Sequence, residues 1–476
     1  MSEETQTVER NLESTLSGQL RRDARWQTIK EQARQLLEAY QQSLTGPKPP
    51  ADECAVDYEK LIQAFGEIRG GKLYYPYIGS GLGRGALVEL IDGSVKYDLI
   101  SGIGVHGLGH GVHAWLDASL EASLDDVVMQ GNLQQNDASR QFASRLLALA
   151  KRNGAPLAHC FLTSSGAMAN ENALKLAFHA KGTANRLIAF ENAFAGRTIC
   201  LSSVTDRPAY RKGLPEGLRV DYIPFCDPER PQESRAAALS ALNRLLERHP
   251  GAYGGLWIEL VQGEGGYYTA NREFFTALFT MAREYDVPII IDEVQTFGRT
   301  QEPFAFQTYG LDDWADIVTV GKMSQVCATL FKPEFKPQPG IMSQTFTGAS
   351  AAIRAGLAVL DYFERDGVFG PEGEVVRLRQ AFDERFHRLM EKHPDWITGL
   401  YGTGTLIAFT PFQGELAQVK ELLQRLFEAG IIAFLNGKNP ARIRFLPPLG
   451  CLQEDDLDWI FATLERVLHE YAEQNS

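Results

Sequence analysis

The sequence predicts an α/β fold built on a mostly parallel sheet, and two observations carry that reading. From about residue 117, strand-like and helix-like segments alternate along the chain, the order that crossover connections between parallel strands produce. The strand-like segments, such as VPIII at 287–291, are continuously apolar, as strands covered by helices on both faces are.

Residues 1–24 read as disordered or loosely attached. Trp26, Ile29, Ala33, Leu36, Leu37 and Tyr40 then recur at helical spacing. TGPKPPADE (45–53) reads as a linker, and ALVELIDG and KYDLISG as short strands separated by glycine. HCFLTS, RLIAFEN, GGLWIELV, PIIIDE and ADIVTVG read as strands. MANENALKLAFHA, ESRAAALSALNRLLERH and REFFTALFTMAREY read as the helices between them. After residue 350 long amphipathic helices surround short strands such as GTLIAFT and IRFLP, the texture of a smaller α+β unit. The expected organisation is therefore a segment 25–116 belonging to the small domain, a large domain 117–350 and a C-terminal small domain 351–476.

Composition limits the function. The 476 residues carry a net charge of −13, which argues against nucleic acid and against an anionic membrane surface. Apolar runs fall short of a membrane span, and the polar, acidic start resembles neither a signal nor a transit peptide, so a cytoplasmic protein is expected. The six cysteines are scattered without a C-x-x-C pair and read as buried thiols.

Four features carry chemistry. Thr163, Ser164, Ser165, Gly166 and Ala167 lie between a strand and a helix, where small residues let backbone N–H groups approach an anion. Asp292 closes the apolar run 289–291, where an acid is costly unless partnered and where open α/β sheets bind ligands. Lys322 follows the strand DIVTVG directly, a setting that lowers the pKa of an amine and makes it a nucleophile. Glu264, in VQGEGG, and Arg444, in the apolar segment RIRFLPPLG, form a candidate ion pair. A phosphate cradle, a carboxylate for a ring nitrogen and an imine-forming lysine are the parts of a pyridoxal-phosphate (PLP) site.

The segments SGIGVHGLGH, SSGAMANENALK, AFAGRT, VQGEGG, IIIDEVQTFGRT, VGK, TFTG and RFLPPL resemble, in order, the class III aminotransferases of PLP fold type I. GKMSQVC is most similar to the lysine 6-aminotransferase branch, beside the ornithine and acetylornithine enzymes. The resemblance implies a large domain with a sheet of the seven-stranded type. It implies that Lys322 forms the imine with PLP and shuttles a proton, and that Asp292 pairs with the ring nitrogen. Phe194 and Val294 would sandwich the ring, Gln295 would bond its hydroxyl, and Ser165, Gly166 and Ala167 would hold the phosphate. Thr345 would reach the phosphate of a neighbouring subunit in a homodimer. Arg197 would bind a substrate carboxylate. Glu264 and Arg444 would form a switch between an amino donor and a 2-oxo acid acceptor, 2-oxoglutarate. The chain departs from the family at Ala195, Leu260, Met168, Thr347, Ala349 and Ser350; Ala195 and the residues after Thr345 are expected near the entrance, so the donor is left open.

Other motifs compete with this reading. Gly102, Gly104 and Gly107 match G-x-G-x-x-G, with Asp125 and Asp126 about 20 residues on. The residues after the glycines do not read as a helix and then a strand ending in an acid, so a loop lining the substrate mouth is expected rather than an NAD site. His106, His110 and His113 lack a nearby cysteine and the H-E-x-x-H pattern of a metal site. Ser165 has no G-x-S-x-G elbow. The expected function is PLP-dependent transfer of a terminal amino group from a diamino or ω-amino acid. A same-fold aminomutase or decarboxylase is the nearest alternative, and an NAD-dependent oxidoreductase the alternative of another class.

Overall fold

The computed structural model describes residues 13–475. Its centre is a seven-stranded sheet. The order across it is His159–Thr163, Cys327–Phe331, Ile317–Val320, Ile289–Glu293, Tyr253–Ile258, Arg186–Phe190 and Arg219–Ile223. Cys327–Phe331 runs antiparallel to both neighbours, while the strands from Ile317–Val320 to Arg219–Ile223 pair in parallel. The sheet is thus mostly parallel, as expected, with one reversed strand. Tyr253–Ile258 and Ile289–Glu293 are buried at every position, which explains their lack of alternation. Helices Gly166–Lys181, Pro231–Arg248 and Arg272–Glu284 supply the crossovers.

Two smaller sheets form the second unit. Gly79–Arg84, Leu87–Leu90 and Val95–Asp98 are joined by Ile431–Ile432 from the C-terminal part. Ile397–Tyr401, Ile407–Pro411, Ala441–Phe445 and Phe434–Gly437 form the other. One apolar core unites them, with Leu87, Val95 and Tyr97 beside Phe382, Phe409 and Phe445. The helix Ser350–Phe363, which sequence texture assigns to the C-terminal unit, instead buries Ile353, Val359, Leu360 and Phe363 in the core of the large unit.

Of the segment 1–24, residues 1–12 lie outside the described residues. Leu16–Arg22 is a helix rather than a loose arm: Arg21 meets Glu121 at 2.5 Å and Asp125 at 2.6 Å. The expected linker ends in a second unanticipated helix, Asp52–Ile68. Among the described residues no helix is long and apolar enough to cross a membrane.

Candidate active site

The carboxyl ends of the parallel strands carry the site. Asp292 lies in register with Thr319 on the adjacent strand and is buried. Its Oδ1 accepts the Val294 N–H at 2.8 Å, and its Oδ2 accepts the Asn170 side-chain amide at 2.7 Å. Asn170 donates also to the Ala195 carbonyl (2.8 Å) and accepts from the Thr319 hydroxyl (2.8 Å), so every polar atom of its amide is engaged. Burial pushes the Asp292 carboxyl up to about 6, against the opposing pull of its hydrogen bonds and of Lys322. A buried acid in that condition favours a cation placed beside it.

The next residue faces a different task. Glu293, fully buried, accepts the N–H groups of Ala305 and Phe306 at 3.0 and 2.9 Å at the start of the helix Ala305–Thr308. Of the two acids that close this strand, Asp292 belongs to the site and Glu293 to the scaffold.

Lys322 opens a tight turn after the strand Ile317–Val320, with φ +53°, the left-handed region that a lysine rarely occupies. Such strain is held where the surrounding structure over-determines it, characteristically at functional sites. Burial lowers the Lys322 pKa, and the positive charge of Arg444 adds to this; Glu264, Asp292 and Glu259 pull the other way. Gln325, in the same turn, donates to the Val105 carbonyl at 2.8 Å and ties Lys322 to the glycine loop.

That loop does not adopt the dinucleotide-binding pattern. Gly102 and Ile103 take left-handed conformations within the short turn Ser101–Gly104, and with Val105 they line a cavity of about 820 Å³. Lys322, Phe194, Arg197 and Glu264 line the same cavity. The loop therefore lines the cavity. The His106 and His110 rings lie tilted by 43° with centroids 4.7 Å apart, and His110 meets Asp98 at 2.8 Å. This pairing gives His110 a structural partner.

Helix Gly166–Lys181 begins beside Lys322's strand. Ser165 caps it by accepting from the Met168 N–H at 3.2 Å. A Cβ on Gly166 would stand 2.8 Å from a Val294 methyl, and one on Gly321 would stand 3.0 Å from it, so only glycine admits Val294 between these loops. Arg444 is fully buried on the strand Ala441–Phe445 and bonds Glu264 at 2.6 Å, the Gly263 carbonyl at 2.7 Å and Gln295 at 3.3 Å. Burial would raise the Glu264 carboxyl, but Arg444 and Lys322 outweigh it and hold it low. Arg197 lies on the Tyr210 ring at 3.9 Å, with the Phe194 ring 6.0 Å away.

Thr345 stands apart from this cluster. It is exposed, and the residue before it is joined to Asn132 through a backbone bond of 3.1 Å.

A model of the class-III aminotransferase family matches residues 78–468. This chain belongs to the class-III aminotransferases. An acetylornithine aminotransferase of Streptococcus mutans is 32% identical over 391 residues, covering 79% of this chain and 92% of the relative. One from Archaeoglobus fulgidus is 30% identical, covering 77% and 89%. The fold matches a lysine aminotransferase from M. tuberculosis with a TM-score of 0.77 at 24% identity, covering 86% of this chain and 99% of that one. An amine transaminase from an uncultivated Pseudomonas species matches with a TM-score of 0.72 at 22% identity, covering 82% and 94%.

Class-III aminotransferases use PLP and act on an amino donor and a keto acid. The residues present fit that cofactor. A buried carboxylate with a raised pKa suits a protonated ring nitrogen, a buried amine with a lowered pKa suits an aldehyde, and a glycine-opened helix start suits a phosphate.

Two site residues are not marked out by sequence reasoning. Asn170 lies inside a helix, where nothing distinguishes it. Glu259 closes the strand Tyr253–Ile258 as Asp292 closes its own, and that signal could have found it. It accepts the Phe194 N–H at 3.0 Å and the Gly263 N–H at 2.9 Å, and burial with the nearby Asp292 charge pushes it up to about 8.

Proposed function

We propose that this aminotransferase moves the terminal amino group of a diamino or ω-amino acid to 2-oxoglutarate, in two half-reactions that share one pocket. The observation that carries this reading is the Glu264–Arg444 pair at 2.6 Å, with Glu264 on the wall of the cavity that Lys322 also lines. A bare arginine at this point would favour dicarboxylates in both half-reactions. A neutralised one accepts a donor with an uncharged end, and an exposed one accepts the dicarboxylate. The names of the relatives, acetylornithine and lysine aminotransferase, support a donor of this class.

In this mechanism Lys322 would hold the cofactor through Nζ. Released from it, Lys322 Nζ would shuttle a proton between the donor carbon that bears the amine and the cofactor carbon, within each half-reaction. PLP supplies the electron sink that makes that carbon acidic. Asp292, held in line by Asn170 and the Val294 N–H, would keep a proton on the cofactor's ring nitrogen. Phe194 and Val294 would cover the cofactor ring, Gln295 would bond its hydroxyl, and the backbone of Ser165, Gly166 and Ala167 would hold the phosphate. Thr345 of the partner subunit would complete the phosphate site. Arg197 binds the carboxylate that donor and acceptor share.

Rapid mixing of the yellow enzyme with a panel of amines tests the reading. Ornithine, N-acetylornithine, lysine and shorter ω-amino acids are expected to bleach the visible band faster than alanine or aspartate. Nitrogen recovered on glutamate, rather than elsewhere on the donor skeleton, separates transfer from an aminomutase. Reaction with ordinary α-amino acids alone would refute the proposed donor class.

A further inference from the structure

Two arginines on the cavity wall, Arg197 and Arg207, form no ion pair with a carboxylate among the described residues. Arg197 packs on the Tyr210 ring. Arg207 instead donates Nη2 to the backbone carbonyl of Glu264 at 2.8 Å. The same carbonyl accepts the Gly437 N–H at 3.2 Å. The backbone at Glu264 is thus pinned from two walls of the cavity, while its side chain is a quarter exposed and reaches across to Arg444.

A carboxylate leaving Arg444 needs another cation, because an ion stranded in a half-buried cavity is strongly destabilised. With the backbone fixed, the side chain reaches only groups close to its own carbonyl. Besides Arg197, Lys420 and Lys438 on the cavity wall, none of them paired with Glu264 among the described residues, three cations other than Arg444 stand near the Glu264 segment. Arg442 is clamped by the Gly266 carbonyl and the rings of Tyr401 and Tyr268. Lys322 is a poor receiver, since a carboxylate against it would raise its pKa and remove the free amine. Arg207 remains, with its guanidinium already at the Glu264 backbone.

We infer that Arg207 is the second seat of the Glu264 carboxylate, receiving it when a dicarboxylate acceptor takes Arg444. The inference rests on the proposed Glu264–Arg444 exchange. Arg207 is then a positioning residue that sets acceptor affinity without touching the acceptor. The charge of Arg207 already helps hold the Glu264 carboxyl low, after those of Arg444 and Lys322.

The test is a double-mutant cycle read by half-reaction kinetics and by calorimetric binding of glutarate, an unreactive dicarboxylate. Arg207→Gln is expected to weaken glutarate and to raise the acceptor KM about tenfold, with the donor half-reaction held within about twofold. Arg207→Lys is expected to restore most of the loss. In a Glu264→Gln background, where no carboxylate needs a seat, Arg207→Gln is expected to change neither quantity. An equal effect in that background would overturn the inference in favour of direct substrate contact. Equal losses in both half-reactions would overturn it in favour of a structural role. If Glu264→Gln itself shifts donor and acceptor steps equally, the exchange fails, and with it the reason for a second seat.

Discussion

Asn170 and Asp292 meet at 2.7 Å, and the orientation of that contact is fixed from behind. The Thr319 hydroxyl donates to the carbonyl oxygen of Asn170, which turns its amino group toward Asp292 and the Ala195 carbonyl. The carboxylate is thereby aimed before any ligand arrives, so that no reorganisation is needed during reaction.

Replacing Asn170 with Ala removes one of two hydrogen bonds to Asp292 and leaves the Thr319 hydroxyl and Ala195 carbonyl without that partner. A bond to a charged group is worth roughly 1.5–3 kcal/mol, about tenfold to a hundredfold in rate. The half-reaction rate of Asn170→Ala is expected to fall by that factor with substrate KM little changed. Single-turnover kinetics measure this, and a change confined to KM would count against the role given to Asn170.

The buried acids set the pH behaviour of the cofactor-free protein. Asp292, Glu293 and Glu259 are raised to about 6, about 7 and about 8. For an acid whose pKa is raised by folding, the folded state holds the extra proton between the unfolded and folded values. The stabilisation is complete below the unfolded pKa near 4 and is lost as pH rises through the folded pKa. These three groups therefore withdraw stability between about pH 4 and pH 8. Infrared titration of the cofactor-free protein is expected to show protonated carboxyl bands that fade across this range. Asp292→Asn is expected to remove the component near pH 6. Loss of all carboxyl bands below pH 5 would contradict it.

Much of the fold and site is legible in the sequence because it is local. The crossover helices and the buried strands announce themselves by period and by apolar run, and Lys322 and Asp292 stand out as charges at the ends of such runs. The strand Arg219–Ile223 does not stand out because it is an edge strand, only partly buried, and carries Arg219 and Asp221. Cys327–Phe331 is hidden because it comes two residues after the Lys322 turn and runs back against the strand before it. Asn170 and Arg207 take their roles from partners 122 and 57 residues away, and no local pattern encodes such contacts.

The proposed dimer is tested through Thr345. The segments around it expose Val128, Leu133 and Phe346 at 83%, 95% and 57%, an apolar surface suited to a second copy of the chain. Sedimentation at micromolar concentration is expected to give a dimer. Thr345→Ala is expected to lose cofactor on dialysis faster than wild type while its single-turnover rate changes less. A fully active monomer would contradict the shared phosphate site.

The central claim is that Lys322 is the residue that carries the cofactor. Lys322→Ala is expected to lose turnover while keeping the fold and oligomeric state. Reduction of the holoenzyme with borohydride and peptide mapping tests the assignment directly. A pyridoxyl group on Lys322 is the expected result. Its appearance on Lys420 or Lys438, the other lysines of the cavity wall, would contradict the assignment.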